Sequence, residues 1–345
     1  MSQFPTASPR APGSRAPIET PDAACDAALD LSVLLVSYKT RDLTVSCIES
    51  VIEDLGELQA EILVADNHSQ DGTVETLRER FPECTVIGQT ENHGFGRAQN
   101  RLALAARGRR LLILNPDTEI QRGCLARLDR WLDEHPETAL VGPKTLYPDG
   151  RVQDTAFRFP SLTGEFLTTS SLGLLLRKVP LLGAHLGLSG SPGHSGPVDY
   201  LQGSCLLCRR EAFEQVDGFD ESYFLFSEEV DLQRRLSDLG WSCDFVAEAQ
   251  ITHHHGKSME QDPVRNYVEL YQGKIRYFEP RLSPVQRHAV RLMWKIFHGS
   301  RWIVLAPIAA LSGSKHWKLK AQKHGAVLTL LSSKGAATPR PQEEN

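Results

Sequence analysis

The sequence has no uninterrupted apolar run of the ~18–20 residues that a membrane-spanning helix needs. Residues 1–30 contain five prolines and many small residues, without the apolar core of a signal peptide. We therefore expect these residues to form a disordered leader. The seven cysteines are scattered and odd in number, which favours a reducing compartment over a disulfide framework. These features predict a cytoplasmic protein.

Several cofactor motifs are also missing. The pair Cys205–Cys208 has no second pair or suitably spaced histidine, so buried thiols in a strand are favoured over a zinc site. A dinucleotide fingerprint is absent after the first predicted strand, and Gly94-Phe95-Gly96 lacks the third glycine. No phosphate-binding G-x-x-x-x-G-K-[ST] loop occurs. These absences exclude nicotinamide, flavin and P-loop enzymes.

Charge is distributed unevenly along the 345 residues, whose net charge is −5. Residues 281–345 hold 11 Lys and Arg against 2 Asp and Glu, a net charge of +9, so residues 1–280 carry −14. An acidic body argues against a nucleic-acid partner. The basic tail fits an anionic membrane surface, although a solvated tail is an alternative.

Four short apolar runs alternate with amphipathic segments in the first 134 residues, a pattern that predicts a parallel sheet covered by helices. The predicted strands cover residues 31–36, 61–65, 85–87 and 111–114, and helices follow each of them. The alternation then breaks. We expect an irregular stretch from about residue 141, a strand over 198–209, a helix over 227–239 and a strand over 242–246.

This pattern divides the chain into four parts. We predict a leader (1–30), an α/β catalytic domain (31–260) with an irregular insertion at 165–197, a helical extension (261–330) and a disordered tail (331–345). In the extension, basic residues alternate with Trp294, Phe297 and Trp302, which is typical of helices at a membrane surface. Packing of these helices on the catalytic domain is nearly as well supported.

The run LLILNPDTEI (residues 111–120) provides the first candidate for chemistry. Pro116 cannot donate to a strand ladder, so the strand should end there and leave Asp117 at the carboxyl edge of the sheet. Open α/β sheets bind ligands at this edge. A simple turn is the competing interpretation, because Asn, Pro and Asp are common turn residues.

Asp66 and Asp71 lie in the loop that follows the second predicted strand. Aspartates in such loops form Asx-turns and cap helices, and Asp71 is well placed to cap. Asp66, at the end of the strand, could instead accept an N–H group from a nucleobase. The two interpretations are compatible.

Glu228, Glu229 and Asp231 begin a predicted helix capped by Ser227. The helix dipole favours acids there, but three acids in four residues repel each other, which raises the pKa of at least one. Arg234 or Arg235 can pair with Asp231, whereas Glu229 has no such helical partner, so Glu229 is a candidate general base.

Three histidines, His253 to His255, follow the last predicted strand. Alternation on an extended segment places His253 and His255 on one face and His254 on the other. One of them could join Asp117 on a divalent metal. An isolated histidine is usually structural, but three in succession favour a functional role.

Together and in this order, six segments resemble motifs of family 2 glycosyltransferases of the GT-A fold. These segments are VSYKT, ADNHSQDGT, ENHGFGRAQN, LNPDTEI, GFDESYFLFSEEVDLQRR and HHHGKS, which span residues 31–258. Within the family, the sequence looks most like rhamnosyltransferase-like members that extend bacterial lipid-linked glycans. The resemblance implies a GT-A fold with a mostly parallel sheet.

The resemblance also implies roles for individual residues. The donor-binding set would comprise Ser37, Tyr38, Asp66, Asp71, Gly94, Asn100 and Asn115. Asp117, with His253, would bind Mg²⁺ or Mn²⁺ on the donor diphosphate. Glu229 would stand where most relatives have an aspartate base.

Three positions depart from the family pattern. Asn115 replaces the first aspartate of the Asp-x-Asp motif, Glu229 is one methylene longer than the usual base, and Asp217 stands where glycine is usual. The first change leaves one carboxylate on the metal.

The chemistry of sugar transfer requires the same groups. A divalent ion stabilises a departing diphosphate, and a positioned base activates the acceptor hydroxyl. A single base opposite the leaving group implies displacement with inversion. The expected partners are a nucleotide sugar, for which dTDP-rhamnose is the candidate, a lipid-linked or glycan acceptor, and the inner surface of the cell membrane.

Two other classes of protein compete with this hypothesis. A sugar nucleotidyltransferase would need a glycine-rich, arginine-containing turn after the first strand, and residues 37–41 contain no glycine. A non-catalytic carbohydrate-binding protein would explain the acids and aromatics, but not a histidine cluster that follows a Glu-Glu helix start.

Overall fold

A computed structural model describes residues 29–170, 193–254 and 262–333 of the protein. The predicted leader and tail lie almost entirely outside the described residues. So do His255 and most of the predicted insertion at 165–197.

The first half of the chain forms a parallel sheet covered by helices, which confirms the alternation seen in the sequence. Its strands occur in the order β3-β2-β1-β4, and Val33 of β1 is in register with Ile62 of β2 and Leu112 of β4. The elements are β1 (Leu31–Ser37), α1 (Arg41–Asp54), β2 (Ala60–Asp66), α2 (Thr73–Arg80), β3 (Thr85–Gly88), α3 (Phe95–Ala105) and β4 (Arg110–Leu114).

The second half extends this sheet with strands of mixed direction. The order continues β4-β10-β6-β11-β5, in which β10 is antiparallel to β4 and β6, whereas β11 is parallel to β6. The elements are β5 (Thr118–Ile120), α4 (Cys124–Glu134), β6 (Thr138–Leu146), β7 (Ala156–Phe157), α5 (Leu162–Thr169), β8 (Gly196–Val198), β9 (Tyr200–Leu201), β10 (Cys205–Arg209), α6 (Arg210–Gln215), α7 (Glu228–Asp238) and β11 (Ser242–His253).

Three predictions for this half need correction. Residues 141–146 are not irregular, because they lie in β6 despite Gly142 and Pro143. Pro143 is accommodated next to the bulge where the pairing of β11 shifts from Val246 to Gln250. The single strand predicted over 198–209 is divided among β8, β9 and β10, and β11 runs seven residues beyond the predicted end at Val246.

Both faces of the sheet are buried, as expected for parallel strands between helix layers. Val33 and Leu35 of β1 enter one core, and Leu34 and Val36 enter the other. The described cysteines are free and buried, and Cys205 and Cys208 lie within β10, which confirms the prediction of buried strand thiols.

The C-terminal region is helical and consists of α8 (Pro263–Phe278), α9 (Pro284–Ser312) and α10 (Lys315–Ser332). These helices share a third core with Val230 of α7, and Trp294 of α9 is completely buried there. The Trp294 indole and the Lys274 ammonium both donate to Glu165 of α5, at 2.8 Å each. The extension therefore packs on the catalytic domain.

Among the described helices, none combines the length and apolar character needed to cross a bilayer.

Helix α8 approaches the loop before α7 so closely that only glycine fits at one position. A β-carbon on Gly273 would lie 2.4 Å from the carbonyl oxygen of Phe226. Gly299 of α9, by contrast, has no atom within 4 Å of such a β-carbon. The two helical glycines form a matched pair for testing the contact.

We expect Gly273→Ala to lower the free energy of unfolding by about 1–3 kcal/mol, because the methyl group overpacks this contact. Gly299→Ala should raise it by up to about 1 kcal/mol through helix propensity alone. Urea denaturation of both variants measures the difference. Equal stability of the two variants would show that the loop before α7 does not depend on α8.

Candidate active site

The parallel strands β2, β1 and β4 end side by side at one edge of the sheet, and predicted donor-binding residues lie at their ends. Ser37 and Asp66 are in register as the last residues of β1 and β2, and both are buried. The Ser37 hydroxyl contacts those of Thr40 and Thr44 at 3.2 and 3.0 Å. Tyr38 follows Ser37 and is half-buried. This edge is where the alternating pattern predicts ligand binding.

The carboxylates of Asp66 and Asp71 both organise their loop. Asp66 accepts the backbone N–H of Ser69 at 3.0 Å and the Ser69 hydroxyl, which itself accepts from the backbone of Lys39 at 2.8 Å. Asp71 accepts from the backbone and hydroxyl of Thr73, the first residue of α2. The turn-forming interpretation therefore fits the geometry at both positions.

Gly94 lies where the loop before α3 touches the loop before α7. Its φ of +80° is a conformation that favours glycine, and a β-carbon there would lie 2.3 Å from the Phe224 carbonyl oxygen. The next residue, Phe95, donates its backbone N–H to that same oxygen at 2.9 Å. Asn67 also binds the Gly94 carbonyl oxygen, at 3.0 Å.

Asn100 holds the same two regions together from within α3. Its amide donates to the carbonyl oxygen of Phe219 and accepts the N–H of Phe219, both at 2.9 Å. The side chain is 4% exposed. Both ends of the amide are used inside the protein, so Asn100 positions the loop before α7 and does not project toward a donor.

Asp117 and His253 come together at the carboxyl edge, as the metal-site hypothesis requires. Their Oδ1 and Nε2 atoms are 3.3 Å apart, and both side chains are about 5% exposed. Pairing of β11 with β5 places them there, because His253 is in register with Thr118. His254 instead contacts Glu119 at 2.7 Å, so the two adjacent histidines have separate partners, as alternation predicts.

Gln153 fixes the orientation of the His253 ring. Its amide oxygen lies 3.2 Å from His253 Nδ1, and its amide nitrogen donates to the backbone carbonyl of His253 at 2.7 Å. An Nδ1–H bond to Gln153 corresponds to the tautomer whose lone pair is on Nε2, the ring atom nearest Asp117. Metal-binding histidines are usually oriented by such a hydrogen bond.

These donor atoms fit part of the coordination sphere of a divalent cation. Neighbouring ligands of an octahedral Mg²⁺ are separated by about 3 Å, close to the Asp117–His253 distance. The residues described by the structure contain no group of three or more His, Cys, Asp or Glu arranged around a metal. Protein ligands alone would therefore leave most of the coordination sphere to water and to ligand oxygens.

Asn115 lies two residues before Asp117. Its backbone N–H donates to the Ser204 carbonyl oxygen at 3.0 Å.

The predicted catalytic acids begin α7 after a strained turn. Phe226 and Ser227 both have positive φ angles, +68° and +69°, which non-glycine residues rarely adopt and which cost about 1–3 kcal/mol each. Ser227 is the N-cap residue of α7, as predicted, but its side chain makes no capping hydrogen bond. The positive φ turns Ser227 away from the extended geometry that a capping serine needs.

Glu228 and Glu229 occupy different environments. Glu228 is 5% exposed, and its Oε2 has no hydrogen-bond partner among the described residues. Burial, and then the charge of Glu229, raise the pKa of Glu228 well above its usual value. Glu229 is half-buried, and burial raises its pKa too, although backbone N–H groups at the helix start oppose the rise. Glu228 is thus the more buried of the two acids, and Glu229 is the more accessible one.

Asp231 takes part in a different arrangement. One carboxylate oxygen accepts from Arg235 and the other from Arg281, both at 2.7 Å. The predicted helical pairing with Arg235 is therefore present, and a second arginine from the C-terminal region completes it. These ion pairs give Asp231 a structural role and leave Glu229 as the better candidate for the base.

Two residues of the site had no signal in the sequence. Gln153 follows a turn in a stretch without periodicity, and only the β6–β11 register brings it to His253. Gly203 packs against Glu229, since a β-carbon there would lie 3.3 Å from Glu229 Cγ. Neither a motif nor a spacing identifies such contacts, which depend on the folded sheet.

Two solved glycosyltransferase structures share the fold of this protein. A mannosyltransferase from Pyrobaculum calidifontis, solved with GDP-Man and Mn²⁺, superposes with a TM-score of 0.52 at 16% identity, covering 88% of this chain and 86% of that one. GalNAc-T7, solved with UDP, GalNAc and Mn²⁺, gives a TM-score of 0.50 at 14% identity, covering 72% of this chain and 48% of that one. The fold is that of GT-A glycosyltransferases.

Sequence comparison identifies the family. The model of Glycosyl transferase family 2 matches residues 32–216. The N-acetylglucosaminyl-diphospho-decaprenol L-rhamnosyltransferase of Mycobacterium tuberculosis is 32% identical over 247 residues, covering 68% of this chain and 80% of that protein. The chain belongs to glycosyl transferase family 2 and is a rhamnosyltransferase-like enzyme, which confirms the resemblance.

The raised pKa of Glu228 predicts a pH-dependent stability. Above the ordinary value of 4.5, the folded protein retains a proton that the unfolded chain releases, so stability falls as pH rises through this window. Glu228→Gln removes this loss. The stability of the variant relative to wild type should increase by up to about 1.4 kcal/mol per pH unit.

Urea denaturation between pH 4 and pH 8 measures this difference. Glu57→Gln, at an exposed loop position, is the control and should follow wild type at every pH. Parallel curves for wild type and Glu228→Gln would mean that Glu228 ionises normally in the folded protein.

Proposed function

We propose that the enzyme transfers a sugar from a nucleotide sugar to a lipid-linked or glycan acceptor, by a metal-dependent displacement that inverts the anomeric centre. The observation that carries this proposal is the approach of Asp117 Oδ1 to His253 Nε2 at 3.3 Å. Gln153 links this pair to the base, because it binds His253 and also lines the cavity that contains Glu229.

Asp117 and His253 would hold Mg²⁺ or Mn²⁺, with donor phosphate oxygens and water as the remaining ligands. The two GT-A structures that resemble this fold contain Mn²⁺, which supports a divalent ion here. Such an ion supplies Lewis-acid stabilisation of the departing diphosphate. Gln153 keeps the His253 ring in the tautomer that ligation requires.

Glu229 would accept the proton of the attacking acceptor hydroxyl. Its raised pKa brings it closer to the operating pH than an ordinary glutamate, which makes it a better proton acceptor. Glu228 is buried, and its raised pKa disfavours a second negative charge beside Glu229. A single base that faces the acceptor supports direct displacement with inversion.

The donor would bind at the carboxyl edge of the parallel strands. Ser37, Tyr38 and Asp66 lie at the ends of β1 and β2, beside Asn115, and would hold the nucleoside. Asp71 and Gly94 shape the neighbouring loops. The Mycobacterium tuberculosis relative is named as an L-rhamnosyltransferase, so dTDP-rhamnose is the donor and an N-acetylglucosaminyl-diphospho-prenol the acceptor that we propose.

Two substitutions separate the proposed roles. Asp117→Ala should reduce donor turnover by about 10³-fold or more, because it removes the carboxylate that holds the metal. Glu229→Gln should leave donor affinity unchanged and lower kcat by about 10²–10⁴-fold.

In wild type, kcat should rise with pH above the ordinary glutamate range because burial raises the pKa of Glu229.

Release of nucleoside diphosphate from a panel of nucleotide sugars, with Mn²⁺ or with EDTA, measures these effects. Product NMR gives the anomeric configuration. Glu57→Gln serves as the control with full activity. Turnover in EDTA equal to that in Mn²⁺ would refute metal dependence, and full transfer by Glu229→Gln would refute the assignment of the base.

Helix α9 supports the proposed contact with a membrane at the cytoplasmic face. Ile296, Ile303 and Leu311 are 64%, 67% and 90% exposed, and Trp302 is 44% exposed. Exposed lysines accompany this apolar surface on α9 and α10, namely Lys295, Lys315, Lys318 and Lys320. Apolar and basic groups together favour an anionic lipid surface, where an acceptor on a prenyl chain would also lie.

Ile296→Glu combined with Ile303→Glu should therefore weaken binding to phosphatidylglycerol vesicles at least about tenfold, since it places two charges on the inserting face. Co-sedimentation measures the bound fraction. Leu239→Glu is the matched control, because Leu239 is 58% exposed at the end of α7. Equal binding by all three proteins would eliminate α9 as the lipid contact.

A further inference from the structure

A cavity of about 270 Å³ opens beside Glu229. We call it the Glu229 cavity. Besides Glu229, its wall consists of Tyr147, Gln153, Asp154, Phe157, Tyr200 and Gln202. Sites for drug-sized ligands measure roughly 300–1,000 Å³. The Glu229 cavity is therefore matched to a smaller group, about the size of one monosaccharide.

One side of the cavity is an aromatic platform. The rings of Phe157 and Tyr200 are stacked, with centroids 5.4 Å apart and an interplanar angle of 22°. The pairing of β7 with β9 sets this arrangement, because Phe157 and Tyr200 are in register. Gln233 of α7 holds β9 in place by two 2.8 Å bonds to the backbone of Leu201. Both rings are only half-buried, so they offer surface to a ligand.

The remaining wall is polar. Asp154 and Gln202 supply carboxylate and amide groups, which between them donate to and accept from hydroxyls. A pyranose ring has this combination of surfaces, with C–H groups on its faces and hydroxyls around its edge. An aromatic platform with polar groups around it is complementary to such a ring.

The location of the platform favours the acceptor sugar over the donor sugar. Nucleoside-binding candidates lie at the ends of β1 and β2, whereas the platform belongs to the separate two-stranded sheet β7–β9. Glu229 lies in the cavity wall, and a general base must be within hydrogen-bond reach of the hydroxyl that it deprotonates. Gln153 borders the cavity and binds His253, which places the metal-side residues next to it.

We propose that the Glu229 cavity is the acceptor subsite and that it takes one pyranose ring, packed against the Phe157 ring, with the attacking hydroxyl at Glu229. This inference rests on the proposed function, since it assigns the acceptor of that reaction. Burial and the charge of Glu229 raise the pKa of the Tyr200 phenol, so this hydroxyl remains protonated and donates to the sugar.

Phe157→Leu tests the platform, and the chain offers a matched control. Phe159 also stacks on Tyr200, with centroids 5.9 Å apart, but it packs against the C-terminal core and is not part of the cavity wall. Phe159→Leu therefore disturbs the same aromatic group without removing a cavity surface. Thermal unfolding of both variants checks that each is folded.

Transfer from dTDP-rhamnose to a short-chain N-acetylglucosaminyl-diphospho-prenol gives the kinetic comparison. Phe157→Leu should raise the acceptor KM about three- to tenfold. The donor KM and the slow release of nucleoside diphosphate without acceptor should stay at wild-type values. Phe159→Leu should leave the acceptor KM unchanged.

Two results would overturn the proposal. A rise in donor KM with an unchanged acceptor KM would assign the cavity to the donor sugar. An equal rise in acceptor KM for Phe159→Leu would show a structural effect only.

Ligand-observed NMR with methyl N-acetylglucosaminide separates this inference from the proposed function. Saturation transfer to the sugar should occur with wild type and Phe159→Leu and be lost with Phe157→Leu, even if wild type releases no diphosphate from any donor. Transfer of saturation that is equal in all three proteins would refute the subsite. Absence of turnover alone would refute only the proposed reaction.

Discussion

The pairing of β11 with β6 and β5 at the same time is the constraint on which the candidate site depends. β11 pairs with β6 from Ser242 to Thr252, with an irregularity after Val246, and Ile251–His253 pair with β5 on the other side. Because β5 begins directly after Asp117, this pairing sets His253 beside that carboxylate, and the backbone N–H of His254 binds the Asp117 carbonyl at 2.9 Å. Backbone hydrogen bonds, which do not depend on side-chain identity, therefore establish the geometry of the proposed metal ligands.

The start of α7, which carries Glu228 and Glu229, is held from two sides. Gly94 and Phe95 contact the Phe224 carbonyl from the sheet side, and Gly273 contacts that of Phe226 from the C-terminal helices. Arg281, just after α8, adds an ion pair to Asp231 in the first turn of α7. The strained turn before Glu229 thus lies between the sheet and the C-terminal helices. Its contacts with both offset the free-energy cost of its positive φ angles. The C-terminal helices therefore support the start of α7 as well as carrying the apolar surface of α9.

Much of this arrangement could be predicted from sequence, for identifiable reasons. β1, β2 and β4 are apolar throughout and end in polar loops, so their places and the ligand-binding edge follow from composition. Asp117 and His253 could be proposed because each follows such a strand. The region from β6 to β9 could not be predicted, since β6 contains Gly142 and Pro143 and the short strands β7, β8 and β9 are held by neighbours distant in sequence. Gln153 and the aromatic platform belong to that region and were therefore missed.

Gly203 lies directly against the Glu229 side chain. A β-carbon at position 203 would be 3.3 Å from Glu229 Cγ and 3.4 Å from Glu229 Cβ. An aspartate has a carbon at both of these places, so shortening residue 229 would not make room for alanine at position 203. The bare backbone at position 203 therefore accommodates the first two side-chain carbons of residue 229, whichever acid stands there. The extra methylene of glutamate changes only how far the carboxylate extends beyond them.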